Sequence, residues 1–168
     1  MSYKPKVLAV VDGGTGVTVS NPVIQVIRSN IRTVVTCSTH LPCDNSIPQI
    51  TEGSQVLTAT ITPKNSSNIL MIEFFGYGSS AADEYWVSAL FQDANSNALV
   101  ANAFFAPTSA PALVNLVHYM TAGTTSATTF QIRLGSGTST FYINGDGSGN
   151  GYFGGVSEAV LIITEYTS

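Results

Sequence analysis

Two short stretches of the chain concentrate residue types that can do chemistry. The first, "CSTHLPC", places Cys37, His40 and Cys43 within seven residues and would offer a cation three ligands. Structural zinc asks for four, and the paired C-x-x-C knuckles of strong zinc motifs are absent. The same two cysteines can close a short disulfide loop or stay as free thiols, and a reducing compartment favours thiols. The second stretch is "NGDGSGNGYFGG", residues 144–155. Gly149, Gly151 and Gly154 have the spacing of a dinucleotide fingerprint, but that motif needs a helix whose amino terminus faces the pyrophosphate. A strand-like run follows here instead. Asp146, Ser148 and Asn150 alternate before Gly151 like the first half of an EF-hand loop. The twelfth position, where a bidentate Glu is required, is Ser157. The stretch therefore reads as a long glycine-rich connection between "TFYI" and the last apolar run. Tyr142, Asn144, Asp146, Asn150 and Tyr152 form a candidate ligand-facing loop, whose rings can stack on a sugar and whose amides can hydrogen-bond it. No metal and no cofactor is expected.

Catalytic chemistry finds less support. His40 and His118 lie in neither a G-x-S-x-G nor an H-E-x-x-H pattern, and His118 alternates with Leu116 and Met120, as a partly buried strand residue would. Asp83, Glu84 and Asp93 belong to loop-rich regions, where a glycan-cleaving carboxylate pair would have to be assembled. The chain is expected not to be an enzyme.

The elements that must position these residues follow from the pattern of apolar side chains. In "QVLTATIT", Leu57, Ala59 and Ile61 share one face and Thr58, Thr60 and Thr62 the other, and "TFQIRL" repeats this with Phe130, Ile132 and Leu134. A period of two is that of a half-buried strand. Further runs, among them "PVIQVI", "ILMIEFF", "EYWVSALFQ", "LVNLVHYM" and "EAVLIITEY", are rich in β-branched and aromatic residues and bounded by turn formers such as "DANSN" and "TPKNSSN". Many short strands without intervening helices predict an all-β, antiparallel β-sandwich, jelly-roll-like in size. Two runs, "ILMIEFF" and "AVLIIT", are apolar on both faces. One sandwich core covers only one face, so the other is expected under a loop or another subunit. Glu73 and Glu165 sit among apolar neighbours and must reach water or a partner's donor.

Composition bounds the partners. The chain has 168 residues, a length suited to one domain. Only 10% are charged and the formal net charge is −4, so no basic stripe exists for a phosphate backbone, and nucleic acid is set aside. The early apolar run "VLAVV" stops at Asp12, short of the roughly 7–15 residues of a secretion signal, and no membrane-length apolar stretch follows. Synthesis in a cytosol without membrane insertion is expected.

Three pieces carry a resemblance: "GGTGVTVSNPVIQVIRS", "LTATITPKNSSNILMIEF" and "VSEAVLIITEY". Together they resemble the head domains of bacteriophage tail fibres and related virion appendages. There a GGTG-type element precedes a V-I/L-Q-V strand, an I-T-P-x-x-S-x-x-I-L strand-turn-strand follows, and a strand ending in Glu closes the chain. The resemblance implies a homotrimeric, jelly-roll-like head on the virion exterior. Residues 1–20 would be an arm that engages other virion proteins, and residues 21–168 a head that attaches to a host-surface glycan or protein. The chain departs from the pattern in its "CSTHLPCDNSIPQI" insertion and in having almost no shaft. That departure leaves room for a capsid decoration protein without a receptor role, and for a polysaccharide-hydrolysing appendage.

Overall fold

The computed structural model describes residues 22–168; the arm expected over residues 1–20 lies outside them. Ten strands follow in order: β1 Val23–Ile31, β2 Val35–Cys37, β3 Ser54–Ile61, β4 Ile69–Ser80, β5 Glu84–Gln92, β6 Val100–Ala106, β7 Pro111–Thr121, β8 Thr128–Ser136, β9 Phe141–Ile143 and β10 Ala159–Tyr166. Among the described residues the only helical element is one 3₁₀ turn, Tyr152–Gly155. Among the described residues every pairing between strands is antiparallel, and the strands fall into two sheets. The expected all-β sandwich is the observed fold.

In the first sheet β4 is central. Strand β7 pairs with it along one edge, from Ile69↔Thr121 to Ser79↔Pro111. The other edge is shared end to end by β10, opposite Ile69–Phe75, and by β9, opposite Gly78–Ser80. Strand β1 lies beyond β10 and β2 beyond β9. The ranks therefore run β1/β2, β10/β9, β4, β7. The second sheet runs β3-β8-β5-β6. Apart from the β5–β6 hairpin, successive ranks alternate between sheets, which is the strand order of an eight-rank jelly roll. Strand β1 packs over β3 and β7 over β6 along the two sides.

The alternation read in the sequence is the alternation of burial. Leu70, Ile72 and Phe74 of β4, Leu161 and Ile163 of β10, and Phe130, Ile132 and Leu134 of β8 are fully buried between the sheets. Each such side chain contributes about 1.5–3 kcal/mol through removal from water. Trp86 is buried against Phe141 at a centroid distance of 5.2 Å. Its indole N–H donates to Ser80 Oγ at 3.1 Å, so the polar edge of the largest core ring is satisfied.

The two outer faces of the sandwich differ. That of the second sheet is covered over much of its area by the chain itself: the segment between β2 and β3 folds across it, burying Leu41 with Val87, Ala89 and Phe91 in a small second core. Gly135 permits this close approach, since a Cβ there would stand 2.5 Å from Thr39 O and 2.6 Å from Leu41 Cβ. Arg133 secures the end of the segment by donating to Glu52 O and Gly53 O at 2.7 and 2.8 Å. The insertion that departs from the resemblance is thus the lid of this sheet. On the first sheet Val26, Phe75, Leu113, Val117 and Tyr119 remain exposed.

Candidate functional site

The glycine-rich stretch is not a hairpin. Ile143 pairs with Gly78, and Val160, just past the loop, pairs with Phe75 of the same strand. Residues 144–158 therefore leave the sheet from within one rank and rejoin it about one strand repeat further along. Asn144 makes the exit. It adopts a left-handed backbone (φ 61), and its side chain is buried in the break between β1 and β2. There Nδ2 donates to Ile31 O at 2.9 Å and Thr33 O at 3.2 Å, while Oδ1 accepts from Ser157 Oγ at 3.2 Å. The expectation that Asn144 faces a ligand is corrected on this ground: its amide is enclosed and engaged at both ends.

Asp146 and Asn150 are brought together within the loop. Asp146 accepts the backbone N–H groups of Ser148 and Asn150, both at 2.9 Å, and Asn150 Nδ2 at 3.1 Å. Asn150's side chain first, then these backbone donors, hold the Asp146 carboxyl below the usual carboxylate range. Both oxygens face N–H donors, which suits a turn anchor and opposes a cation. Tyr142 lies beneath the loop, its ring 3.1 Å from where a Cβ on Gly149 (φ 84) would stand. Tyr152 is half-buried, sharing a 2.5 Å hydrogen bond with Ser79 Oγ. Its ring stacks on Phe153 at 5.5 Å, and Tyr77 lies 5.5 Å from Tyr152 and 6.3 Å from Phe153. Phe153 is 67% exposed, at φ 51, at the tip of the loop. Neither Tyr77 nor Phe153 was expected at the site. The sequence signal for Phe153 is a large apolar residue set among glycines.

This aromatic stack extends the bare face of the first sheet. Register places Val26, Thr164, Met71 and Tyr119 in one outward row, Arg28, Ile162, Glu73 and Val117 in the next, and Asn30, Val160, Phe75 and Asn115 in a third. Tyr77 and Leu113 follow, and Phe153 packs on Tyr77. One acid, Glu73, stands in the middle of this surface. At its rim Glu158 pairs with both Arg28 and Arg32, the latter at 2.8 Å.

Glu165, the other acid among apolar neighbours, points inward and is fully buried. Contrary to expectation it reaches neither water nor a partner. Gln25 Nε2 and Asn68 Nδ2 donate to it at 2.6 Å, and Lys64 N at 2.8 Å. Burial pulls its pKa upward most strongly, but Asn68, Gln25 and the N–H groups of Lys64 and Asn65 together outweigh that and hold it below its ordinary value. Gln25 belongs to "VIQV", Lys64 and Asn68 to "ITPKNSSN", and Glu165 to the closing strand. The three stretches that carry the resemblance meet at this carboxylate.

The remaining candidates do not converge. Cys37 is buried in the main core, where desolvation pushes its thiol up to about 12, and Cys43 is exposed; both are free thiols. Among the described residues no group of three His, Cys, Asp or Glu side chains is placed to hold a metal ion. His118 is partly buried on the inner side of β7, and burial lowers its pKa. Asp83 holds Thr108, Glu84 holds Ser136 and Thr138, and Asp93 holds Thr128 and Thr129, so each carboxylate anchors a separate loop. Among the described residues no helix is long and apolar enough to cross a membrane.

No family model and no curated protein matches the chain. Among solved structures it is similar to the enzymatically active domain of tailspike protein 4 of bacteriophage CBA120. The identity is 14% over 71% of this chain and 18% of that chain, with a TM-score of 0.28. It is also similar to the CBM36-1 domain of a multidomain xylanase from the hindgut metagenome of Trinervitermes trinervoides. There the identity is 15% over 83% of this chain and 98% of that chain, with a TM-score of 0.20. At these TM-scores neither neighbour bears on what this chain binds or does.

Proposed function

We propose that the chain is a non-enzymatic structural protein of a bacteriophage virion, a tail-fibre-like head that assembles as a homotrimer and attaches to a host-surface glycan or protein. The observation that carries this reading is the contrast between the two outer faces. The chain covers much of the second sheet with its own insertion, whereas on the first Val26, Phe75, Leu113, Val117, Tyr119 and Phe153 are exposed around Glu73 with no segment across them. Exposed patches beyond a few hundred Å² are unusual on monomers, and closed rotational symmetry covers such a surface without open-ended polymerisation. The convergence of the three resemblance stretches on Glu165 supports the same reading, because it gives them one structural reason to occur together. In the assembly the first sheet faces the axis and the second faces outward. Several copies of a weak site are thereby displayed at once, and avidity compensates for the low affinity of each.

Native mass by light scattering during size exclusion tests the assembly. The expected result is three times the 17.6 kDa chain, and a single peak at 17.6 kDa overturns it. Removal of residues 1–19 is expected to abolish incorporation into virions while leaving binding to host cells intact.

A further inference from the structure

The outward face of the second sheet is not sealed along its whole length. The covering segment packs on Gly135 through Leu41 and stops short of Tyr85 and Phe105, and at its edge a cavity of about 150 Å³ opens. Its floor is Val87, Ala101 and Ala103, and its rim Pro42, Asp44 and Ser46. Two residues further along the same strands, on the same face, Tyr85 pairs with Phe105. The two rings meet edge to face with centroids 5.2 Å apart, and they are 60% and 50% exposed. Strand geometry sets this pair about 7 Å from the cavity floor. The surface thus combines an aromatic platform, a floor kept low by two alanines, and a carboxylate on the rim. Ser46, through its side chain and then its backbone N–H, occupies Asp44 Oδ1 and holds that carboxyl below its usual range.

We infer that this groove is a carbohydrate-binding site, in which the C–H face of a pyranose ring lies on Tyr85 and Phe105 and a neighbouring substituent enters the cavity beneath Pro42. A sugar ring presents an apolar face and a rim of hydroxyls. It therefore fits a site with exposed aromatic area at one end and a few polar groups at the other. The cavity holds less than a whole drug-sized ligand, which matches one ring or acetamido group of a longer glycan. The aromatic stack at Phe153 instead borders the bare face of the first sheet. The inference deepens the receptor-binding part of the proposed function and rests on it, but it does not depend on trimer formation.

The test is ligand-observed saturation-transfer NMR on the full chain with the methyl glycosides of glucose, galactose, mannose and N-acetylglucosamine at millimolar concentration. Transfer to the ring protons of at least one glycoside is expected. It should fall at least fivefold in Phe105→Ala and in Ala103→Phe, which fills the cavity while keeping both platform rings, and persist in Phe153→Ala. Absence of transfer from the wild-type protein to all four glycosides overturns the inference, as does a signal lost in Phe153→Ala but kept in both groove variants. A monomeric protein that shows the expected transfer loses the assembly reading and keeps this one. A trimer without transfer does the reverse.

Discussion

At the scale of single residues, the carboxylate of Glu165 has the widest consequences. It is buried without a cation, held by neutral donors from three separate stretches of chain. Its pKa is lower folded than unfolded, so the stability it contributes is complete above the unfolded value, near 4.5, and is lost as pH falls through the folded value. Acid titration of the folded protein by circular dichroism is therefore expected to show stability declining below about pH 5. The decline should be shallower in Glu165→Gln. That variant should also lose about 1–3 kcal/mol at pH 7, because its amide NH₂ would meet N–H donors in place of an acceptor. An unchanged acid profile would place the pH dependence on other carboxylates. Asn144 makes the complementary point. Its position beside Asp146 suggests a ligand contact, whereas the fold uses it to join the broken β1/β2 rank to the departing loop.

At the scale of elements, the segment between β2 and β3 is the least foreseeable part. The strand "EYWVSALFQ" buries both faces, Trp86 and Leu90 inward and Val87 and Phe91 under the covering segment. Its outer apolar residues need that cover. Leu41→Ala removes the fully buried side chain that the segment inserts, and is expected to cost about 2–5 kcal/mol in chemical denaturation. Native-state hydrogen exchange should then speed up at Val87–Phe91 more than at the first sheet. Loss confined to the first sheet would mean that the segment is not what stabilises β5. The glycine-rich loop is the second such element. Its composition shows a connection free of regular structure, but a connection of this kind ordinarily joins neighbouring strands. Its return to the same edge of β4 depends on the pairings of Gly78 and Phe75, residues far from it in sequence.

At the scale of the whole molecule, the unequal outer faces decide how the protein meets others. Leu113 and Val117 are exposed side chains of the bare face. Replacing both by Lys should leave folding nearly unchanged, since surface substitutions usually stay within about 0.5 kcal/mol each. The double variant is expected to elute at the mass of one chain with a native near-ultraviolet spectrum. A variant that keeps the mass of three chains would move the interface to another face.

The sequence by itself determined the class of fold and most of its strands, because a period of two is written locally: each strand's inward residues are its own, whatever it pairs with. "QVLTATIT" and "TFQIRL" pair with each other and bury the faces their alternation marks. The doubly apolar character of "ILMIEFF" was equally legible, but not which of its two faces forms the core. Tertiary structure alone decided which outer face is covered, where Glu165 finds its donors, that Asn144 lies inside, and that Tyr85, Phe105 and the rim at Asp44 share one groove. Each of these depends on contacts between residues tens of positions apart. Such contacts are set by strand order and register, which no local pattern of side chains encodes.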